Sequence, residues 1–138
     1  MARPETPLLA VDIVVLDAAG QLLMIRRRCE PFRGQFALPG GFVDIGETVE
    51  QAASRELMEE THLKARTLRL VGVYSDPSRD PRGHSCSVAF LVEVEAGEPI
   101  AGDDAESVSW VRDWRDLKLA FDHDKIIADA LKLRAKPD

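Results

Sequence analysis

The sequence has few cysteines and no excess of positive charge. Its two cysteines, Cys29 and Cys86, form no metal-binding spacing and cannot build a disulfide framework, so both are expected to be packing residues. The 24 acidic residues outnumber the 18 basic residues, and the formal net charge is −6. A chain with this charge offers no general basic surface, and we therefore expect no nucleic-acid polymer as a partner.

Long apolar runs are also absent. Asp12 interrupts the one candidate near the N-terminus, and no stretch approaches the roughly 20 apolar residues of a membrane span. We therefore expect a cytoplasmic protein that contacts no membrane. At 138 residues, the chain is predicted to form one domain over residues 1–138, without room for an appended DNA-binding module.

The stretch from Leu38 to Leu63 combines glycines, a helix start and clustered acids. Three of its residues lack a Cβ and allow a loop to fold tightly over a charged ligand: Gly40, Gly41 and Gly46. Thr48 and Gln51 have the spacing of a capping box, in which each side chain bonds the backbone N–H of the other residue. They predict a helix from Val49 to about His62, because no glycine or proline interrupts that range.

Three glutamates of this helix, Glu56, Glu59 and Glu60, share one face at spacings of three and four residues. Like charges at such spacings cost a few tenths of a kcal/mol per pair, whereas a hard divalent cation converts their repulsion into binding. The opposite face is apolar and is expected to be buried: Val49, Ala53 and Leu57. Taken alone, the three glutamates favour a solvated acidic surface, because runs of charge are usually surface.

The spacing of the whole stretch resembles the Nudix box, G-x5-E-x7-R-E-U-x-E-E-x-G-U, in which U is aliphatic. The matching residues are Gly41, Glu47, Arg55, Glu56, Leu57, Glu59, Glu60 and Leu63. His62 departs from the motif, because it occupies the position of the second glycine. A left-handed cap at this point favours glycine, although His is among the residues enriched at positive φ.

The resemblance to the Nudix family implies a fold and a chemistry. The fold is an α/β/α sandwich with a central mixed sheet, in agreement with the alternation of strands and helices along the chain. The chemistry is hydrolysis of a nucleoside diphosphate joined to another group, with Mg²⁺, or Mn²⁺ in its place, as cofactor. The implied metal ligands are the Gly40 carbonyl, Glu56, Glu59 and Glu60, and Glu56 is alternatively the base. Glu47 and Arg55 are expected to pair and hold the loop to the helix.

Five stretches of strand length are rich in apolar and β-branched residues: Leu8–Leu16, Gln21–Arg27, Leu68–Tyr74, Ser85–Glu95 and Ser107–Val111. The first two are predicted to form a hairpin around the turn at residues 17–20. The fourth is nearly continuous in apolar residues and is predicted to be buried on both faces. Asp122 is predicted to cap a final helix, whose buried stripe includes Ile126 and Ile127.

The loop from Ser75 to Ser85 carries many charges between two hydrophobic strands, and Pro77 and Pro81 restrict its backbone. Its candidate substrate-binding residues are Asp76, Arg79, Asp80, Arg82 and His84. Arg27 is a further candidate, because its strand leads directly into the acid-rich stretch. All six equally suit an ordinary solvated surface.

A narrower resemblance involves the segments YSDPSRDPRGHS and LAFDHDKIIADAL, which are similar to segments of short prokaryotic Nudix ADP-ribose pyrophosphatases. It implies cleavage of ADP-ribose to AMP and ribose 5-phosphate, a small-molecule nucleotide partner and a homodimer. An additional acid for the site is expected from Asp103, Asp104 or Glu106. Phe121 and His123 are expected either to border a base pocket or to pack in the core.

Three alternatives stay open. The first is a nucleoside triphosphate diphosphohydrolase, which would release pyrophosphate. The second is a nucleotide-sensing regulator without turnover. The third is an interaction module that uses the charged loop and does not need Glu59.

Overall fold

The computed structural model describes residues 3–102 and 105–136. Its strands are β1 (Leu8–Val15), β2 (Leu22–Arg27), β3 (Phe36–Ala37), β4 (Gly40–Phe42), β5 (Ala65–Tyr74), β6 (Ser85–Val94) and β7 (Ala105–Val111). Its helices are α1 (Val49–Thr61) and α2 (His123–Ala135), with a 3₁₀ helix at Trp114–Asp116. None of the helices within these ranges has the length and apolar character needed to cross a bilayer.

The strands form a four-stranded mixed sheet and a three-stranded sheet. The first has the order β4-β1-β6-β5, and the second has the order β3-β2-β7. β1 runs parallel to β6, whereas β4 is antiparallel to β1 and β5 is antiparallel to β6. The N-terminal parts of β1 and β6 therefore lie side by side at the end of the sheet where β4 also pairs.

Alternate side chains of β1 face two different layers. Val11, Ile13 and Val15 pack in one buried cluster with Leu57 of α1, whereas Val14 packs in the cluster that contains the buried side of α2. Neighbouring residues of β2 divide between the same two clusters. The predicted α/β/α sandwich with a central mixed sheet is confirmed, and its core lies on both faces of β1.

The predicted hairpin of the first two strands is wrong. The turn is present, because Asp17 N–H donates to Gln21 O at 2.9 Å, but a single bridge between Leu16 and Leu22 is the only β1–β2 pairing in the described chain. β1 pairs instead with β6 along its whole length and with β4 at residues 10–12. β2 pairs with β3 and β7 in the other sheet.

Helix α1 begins and ends as its sequence predicts. Thr48 Oγ1 accepts from Gln51 N–H at 3.1 Å, and Gln51 Oε1 accepts from Thr48 N–H at 2.8 Å, which confirms the capping box. His62 has φ 62° and ψ 16°, so it adopts the left-handed cap that its position requires. Its Nδ1 lies 2.7 Å from Ile100 O, a contact that joins the loop between β6 and β7 to the end of the helix.

Asp122 precedes α2, but its side chain does not cap the helix. Both of its carboxylate oxygens instead accept from Arg79, at 2.9 Å from Nε and 2.7 Å from Nη2. The predicted cap is therefore wrong, because a two-point bond to a buried guanidinium is stronger than a bond to a backbone N–H. Arg79 also donates to Ser85 Oγ at 2.9 Å and to Asp12 at 3.4 Å, so the loop at residues 75–84, α2 and β1 share one polar cluster.

Removing the hydroxyl cap of α1 is expected to destabilise the protein. Thr48→Ala leaves the Gln51 N–H without its side-chain acceptor and should lower the free energy of unfolding by about 1 kcal/mol. Urea denaturation measures the change. Thr48→Ser keeps the hydroxyl and serves as the matched control, and equal losses in both variants would contradict the cap assignment.

Loss of the Arg79 guanidinium is expected to be more costly. Its side chain is 5% exposed, and Arg79→Met leaves Asp122 and Asp12 without a cationic partner. The free energy of unfolding should fall by about 3 kcal/mol or more, as for other buried ion pairs that lose one member. Arg66→Met is the control, because Arg66 forms a solvent-exposed pair with Glu93 whose loss costs about 1 kcal/mol or less. Similar urea midpoints for both variants would show that the Arg79 cluster does not stabilise the fold.

Candidate active site

Two glutamates of α1 lie together at the floor of a cavity of about 330 Å³. Glu56 and Glu60 are one helical turn apart, and the charge of Glu56 is close enough to raise the pKa of Glu60. Glu60 is 7% exposed, and its Oε2 atom is buried without a hydrogen-bond partner among the described residues. A buried carboxylate oxygen is costly in this state, so the pair is incomplete as it stands.

Burial and mutual repulsion favour the protonated forms of this pair. Burial raises the pKa of Glu60, and the adjacent charge of Glu56 raises it further, whereas the backbone N–H of Gly40 lowers it in part. Burial also raises the pKa of Glu56, although a hydrogen bond from Arg55 offsets part of the increase. A divalent cation binds the deprotonated carboxylates and would displace these protons, so the donor set and the unpartnered oxygen fit a cation site.

The turn opposite these carboxylates has no space for side chains. A Cβ on Gly41 would lie 2.5 Å from the Glu56 carboxyl carbon, and a Cβ on Gly40 would lie 2.3 Å from Val11 O. Glycine is therefore required at position 40 by the approach of backbone, whereas a Cβ at position 41 would displace the Glu56 carboxyl group. The predicted tight loop over a charged centre is present, and Gly40 lies between β1 and the glutamate pair.

Arg55 holds the loop before α1 to the helix. Its Nε and Nη2 donate to the two carboxylate oxygens of Glu47 at 3.0 and 2.6 Å, and its Nη1 donates to Glu56 at 2.7 Å. The hydrogen bond with Glu47 raises the pKa of Arg55 and lowers the pKa of Glu47. The predicted pairing is confirmed, and it also fixes the carboxylate of Glu56.

Glu59 differs from the buried pair. Its side chain is 57% exposed, lies 3.2 Å from Arg55 Nη1 and does not line the cavity. Within residues 3–102 and 105–136, no three acidic, histidine or cysteine side chains are already arranged as a ligand set. The predicted three-carboxylate face is thus a buried pair with Glu59 beside it, and metal binding by Glu59 stays a prediction.

Asp12 is a cavity residue that the sequence analysis treated only as an interruption of an apolar strand. It is buried and accepts from Ser87 Oγ at 2.6 Å, and its other oxygen lies 3.1 Å from His123 Nε2. Burial alone raises the pKa of Asp12, but His123, Ser87 and Arg79 together outweigh it and lower that pKa. The sequence offered one indication that Asp12 belongs to a site: an ionised group inside a buried strand needs partners elsewhere in the fold.

One wall of the cavity combines a fixed arginine with two aromatic rings. Asp80 is buried and accepts from Nε and Nη2 of Arg82 at 3.1 and 2.8 Å. The Arg82 guanidinium lies over the rings of Phe42 and Phe121, at 5.4 and 5.7 Å from their centroids. Asp80 and Arg82 are thus brought to the cavity as predicted, and Phe42 was missed because a single aromatic residue carries no pattern in the sequence.

Arg27 faces the same wall from the end of β2. Its guanidinium lies 5.1 Å from the Phe121 ring centroid, and its Nε donates to Pro31 O at 2.7 Å. Burial lowers the pKa of Arg27, and the positive charge of Arg82 lowers it further. Among the described residues, no carboxylate lies within ion-pair distance of Arg27.

The remaining candidates lie elsewhere. Asp76 accepts from Ser78 within its own turn, and His84 Nε2 lies 2.9 Å from Ser75 O; both are exposed and neither lines the cavity. Arg79 borders the cavity, but its guanidinium is committed to Asp122, Ser85 and Asp12. Glu106 is exposed and is not a lining residue. Asp103 and Asp104 lie outside the described residues, so the predicted additional acid stays a prediction.

Comparisons with known proteins agree with this geometry. The NUDIX domain model matches residues 6–133. The chain is 50% identical over 127 residues to the ADP-ribose pyrophosphatase of Methanocaldococcus jannaschii, covering 91% of this chain and 74% of that protein.

Two solved structures share the fold. A MutT/nudix family protein from Enterococcus faecalis superposes with a TM-score of 0.87 and 32% identity, over 96% of this chain and 64% of that one. The Nudix domain of Shewanella oneidensis NrtR, crystallised with ADP ribose, has a TM-score of 0.87 and 29% identity, over 95% and 90% of the two chains. Because the family model spans nearly the whole chain and these relatives share its fold, the chain belongs to the Nudix family.

Proposed function

We propose that this chain hydrolyses ADP-ribose to AMP and ribose 5-phosphate with Mg²⁺, or Mn²⁺ in its place. The observation that carries the proposal is the pair of buried Glu60, with an unpartnered oxygen, and half-buried Glu56, which lines one cavity together with Arg27 and Arg82. Cations on one side and hard oxygen donors on the other suit a diphosphate held against a divalent ion. The Methanocaldococcus jannaschii relative, an ADP-ribose pyrophosphatase, supports the choice of substrate.

The proposed ligands of the cation are Glu56, Glu59, Glu60 and the Gly40 carbonyl. A divalent cation, when bound, neutralises the negative charge of the diphosphate and makes water more acidic. Burial of the Glu60 side chain restricts the position of its carboxylate. Arg55 orients Glu56 through the hydrogen bond from Nη1. Glu56 either completes the ligand set or accepts the proton of the attacking water.

The products follow from the bond that breaks. Attack of water on one phosphorus cleaves its bond to the bridging oxygen, and that oxygen leaves with the other phosphate. The oxygen of water stays on the attacked phosphorus, each product is a phosphate monoester, and the two protons of water are retained by the monoesters or released to solvent. Arg27 and Arg82 face the cavity where this charge is placed and are proposed to bind the diphosphate.

The aromatic wall is proposed to bind the base. Phe42 and Phe121 line the cavity, and the Arg82 guanidinium, which donates to Asp80, lies within 6 Å of both ring centroids, at 5.4 and 5.7 Å. A purine can stack on such a surface, and stacking is worth about 1–3 kcal/mol per base. Arg79 and Asp80 therefore support the wall from behind, whereas Asp76 and His84 lie away from it.

The proposal is tested with a substrate panel. Purified protein with Mg²⁺ is incubated with ADP-ribose, nucleotide sugars, dinucleotides and nucleoside triphosphates, and the products are identified by mass. AMP and ribose 5-phosphate are the expected products, with ADP-ribose the best substrate. Release of pyrophosphate from a triphosphate as the main reaction would favour a triphosphate diphosphohydrolase, and binding of ADP-ribose without turnover would favour a regulator.

Location and assembly are further proposals. Both cysteines are unpaired in the structure, which is consistent with the proposed cytoplasmic location. A homodimer stays a prediction, and analytical ultracentrifugation measures it directly.

Charge removal at Glu60 is expected to change stability and activity in opposite directions. Glu60→Gln should lower kcat at least about 100-fold, because a cation ligand is lost. The melting temperature should be unchanged or higher, because Gln places a neutral group where burial and the charge of Glu56 disfavour a carboxylate. The control is Glu50→Gln in the exposed first turn of the same helix, which should alter neither quantity.

EDTA should abolish wild-type turnover and Mg²⁺ should restore it; full activity in EDTA would refute the metal mechanism.

Loss of Arg82 is expected to weaken substrate binding selectively. Arg82→Ala should raise KM for ADP-ribose about tenfold or more, because it removes a charged hydrogen-bond donor and a stacking surface, and kcat should change little. Steady-state kinetics on ADP-ribose and on a triphosphate measure the selectivity. The exposed Arg66 supplies the control variant Arg66→Ala. Equal effects on both substrates, or no effect, would exclude Arg82 from recognition.

A further inference from the structure

The amide of Leu38 has an unusual acceptor. Leu38 lies between β3 and β4, outside both strand ladders, and is 2% exposed. Its N–H donates to Nδ1 of His123, the first residue of α2, at 3.0 Å. A buried backbone donor needs a partner, and here a side chain from a helix 85 residues further along the chain supplies it.

This hydrogen bond fixes the tautomer of His123. Because Leu38 N–H is a donor, Nδ1 must offer its lone pair, and the ring proton is then on Nε2. Nε2 lies 3.1 Å from Asp12 Oδ1, so it donates to that carboxylate. The imidazole is 4% exposed and thus connects two fixed partners on opposite sides of its ring.

Asp12 and Leu38 both adjoin the glycines of the turn at residues 38–41. Asp12 and Gly40 are paired residues of β1 and β4, and a Cβ on Gly40 would lie 2.8 Å from Asp12 Oδ1. Leu38 is two residues before Gly40. His123 therefore restrains the start of the turn through Leu38 and its middle through Asp12.

The far side of this turn meets the glutamate pair. Gly41 packs so closely against Glu56 that a Cβ would lie 2.5 Å from its carboxyl carbon, and the backbone N–H of Gly40 lowers the pKa of Glu60 in part. A shift of the turn by a fraction of an ångström changes both contacts. Positions of this kind set reaction rate more strongly than they set substrate affinity.

We propose that His123 is a positioning residue for the hydrolytic step, acting through the Leu38 amide to hold the residue 38–41 turn against Glu56 and Glu60. The proposal rests on the proposed function for its kinetic test. His123 lines the cavity, but both of its ring nitrogens are committed to Leu38 and Asp12. The neighbouring segment adds a second support, because Ala120 N–H donates to Phe36 O at 2.9 Å.

Two isosteric substitutions separate the two bonds of the ring. In His123→Asn, the amide oxygen takes the place of Nδ1 and still accepts from Leu38 N–H, but the side chain is too short to reach Asp12. In His123→Gln, the amide nitrogen takes the place of Nε2 and donates to Asp12, while Leu38 N–H loses its acceptor. We expect kcat for ADP-ribose within about threefold of wild type in the Asn variant and about 10- to 100-fold lower in the Gln variant. KM for ADP-ribose should change little in either variant.

A second readout does not require turnover. Mn²⁺ binding, followed by electron paramagnetic resonance without nucleotide, should be weaker in His123→Gln than in His123→Asn, because only the former removes the acceptor of the Leu38 N–H. The control is Ile127→Val, which removes one methyl group from the buried face of the same helix and leaves His123 in place. Melting temperatures of all variants show how much of any effect is loss of folding.

The outcomes are distinct. Equal kcat and equal Mn²⁺ affinity in the Asn and Gln variants, or a kcat loss in Ile127→Val as large as that in the Gln variant, would overturn the role of His123. If wild-type protein does not cleave ADP-ribose, the proposed function fails, and the Mn²⁺ comparison still decides the role of His123. If both His123 variants are unfolded, ¹⁵N chemical shifts of the wild-type imidazole decide the matter: a proton on Nδ1 would refute the proposal.

Discussion

Two carboxyl groups held against each other and away from water are unfavourable for folding, and the arrangement around Glu56 and Glu60 is organised to maintain them. Burial and repulsion raise both pKa values, and one oxygen of Glu60 has no donor among the described residues. A helix whose only task was to fold would place these side chains in solvent. Their position is therefore explained by cation binding, because a cation needs deprotonated oxygens at a fixed separation.

The rest of the site consists of groups that prevent this pair from moving. Arg55 fixes Glu56 and joins it to Glu47, so the loop and the helix cannot separate without breaking charged hydrogen bonds. On the other side, the glycine turn lies so close that it limits where the carboxylates can go. Behind the turn, Asp12 and His123 connect β1 to α2. The chemistry on α1 is thus supported by elements from both ends of the chain.

The recognition wall is built on the same support. Arg79 binds Asp122 at the start of α2, and the next residue, Asp80, is buried and holds Arg82 against the two phenylalanine rings. A loop with two prolines and many charges is therefore rigid where it meets the cavity, although its outer residues are exposed. Substrate contact and protein stability depend here on neighbouring residues, so a variant of Arg79 affects both.

The sequence by itself determined the local features: the capping box at Thr48, the left-handed cap at His62, the Glu47–Arg55 pairing and the placement of Glu56 and Glu60 on one helical face. Each depends on residues within about one to three turns of one another, so spacing is sufficient to predict it. Only the tertiary structure decided that β1 and β2 enter different sheets, that Asp122 binds Arg79 instead of capping α2, and that Glu59 stays exposed while Glu60 is buried. It also brought His123 to Leu38 and Asp12, which precede it by 85 residues or more. These outcomes depend on which surfaces pack against each other and on which polar groups lose contact with water, and neither is encoded in the spacing of a short motif.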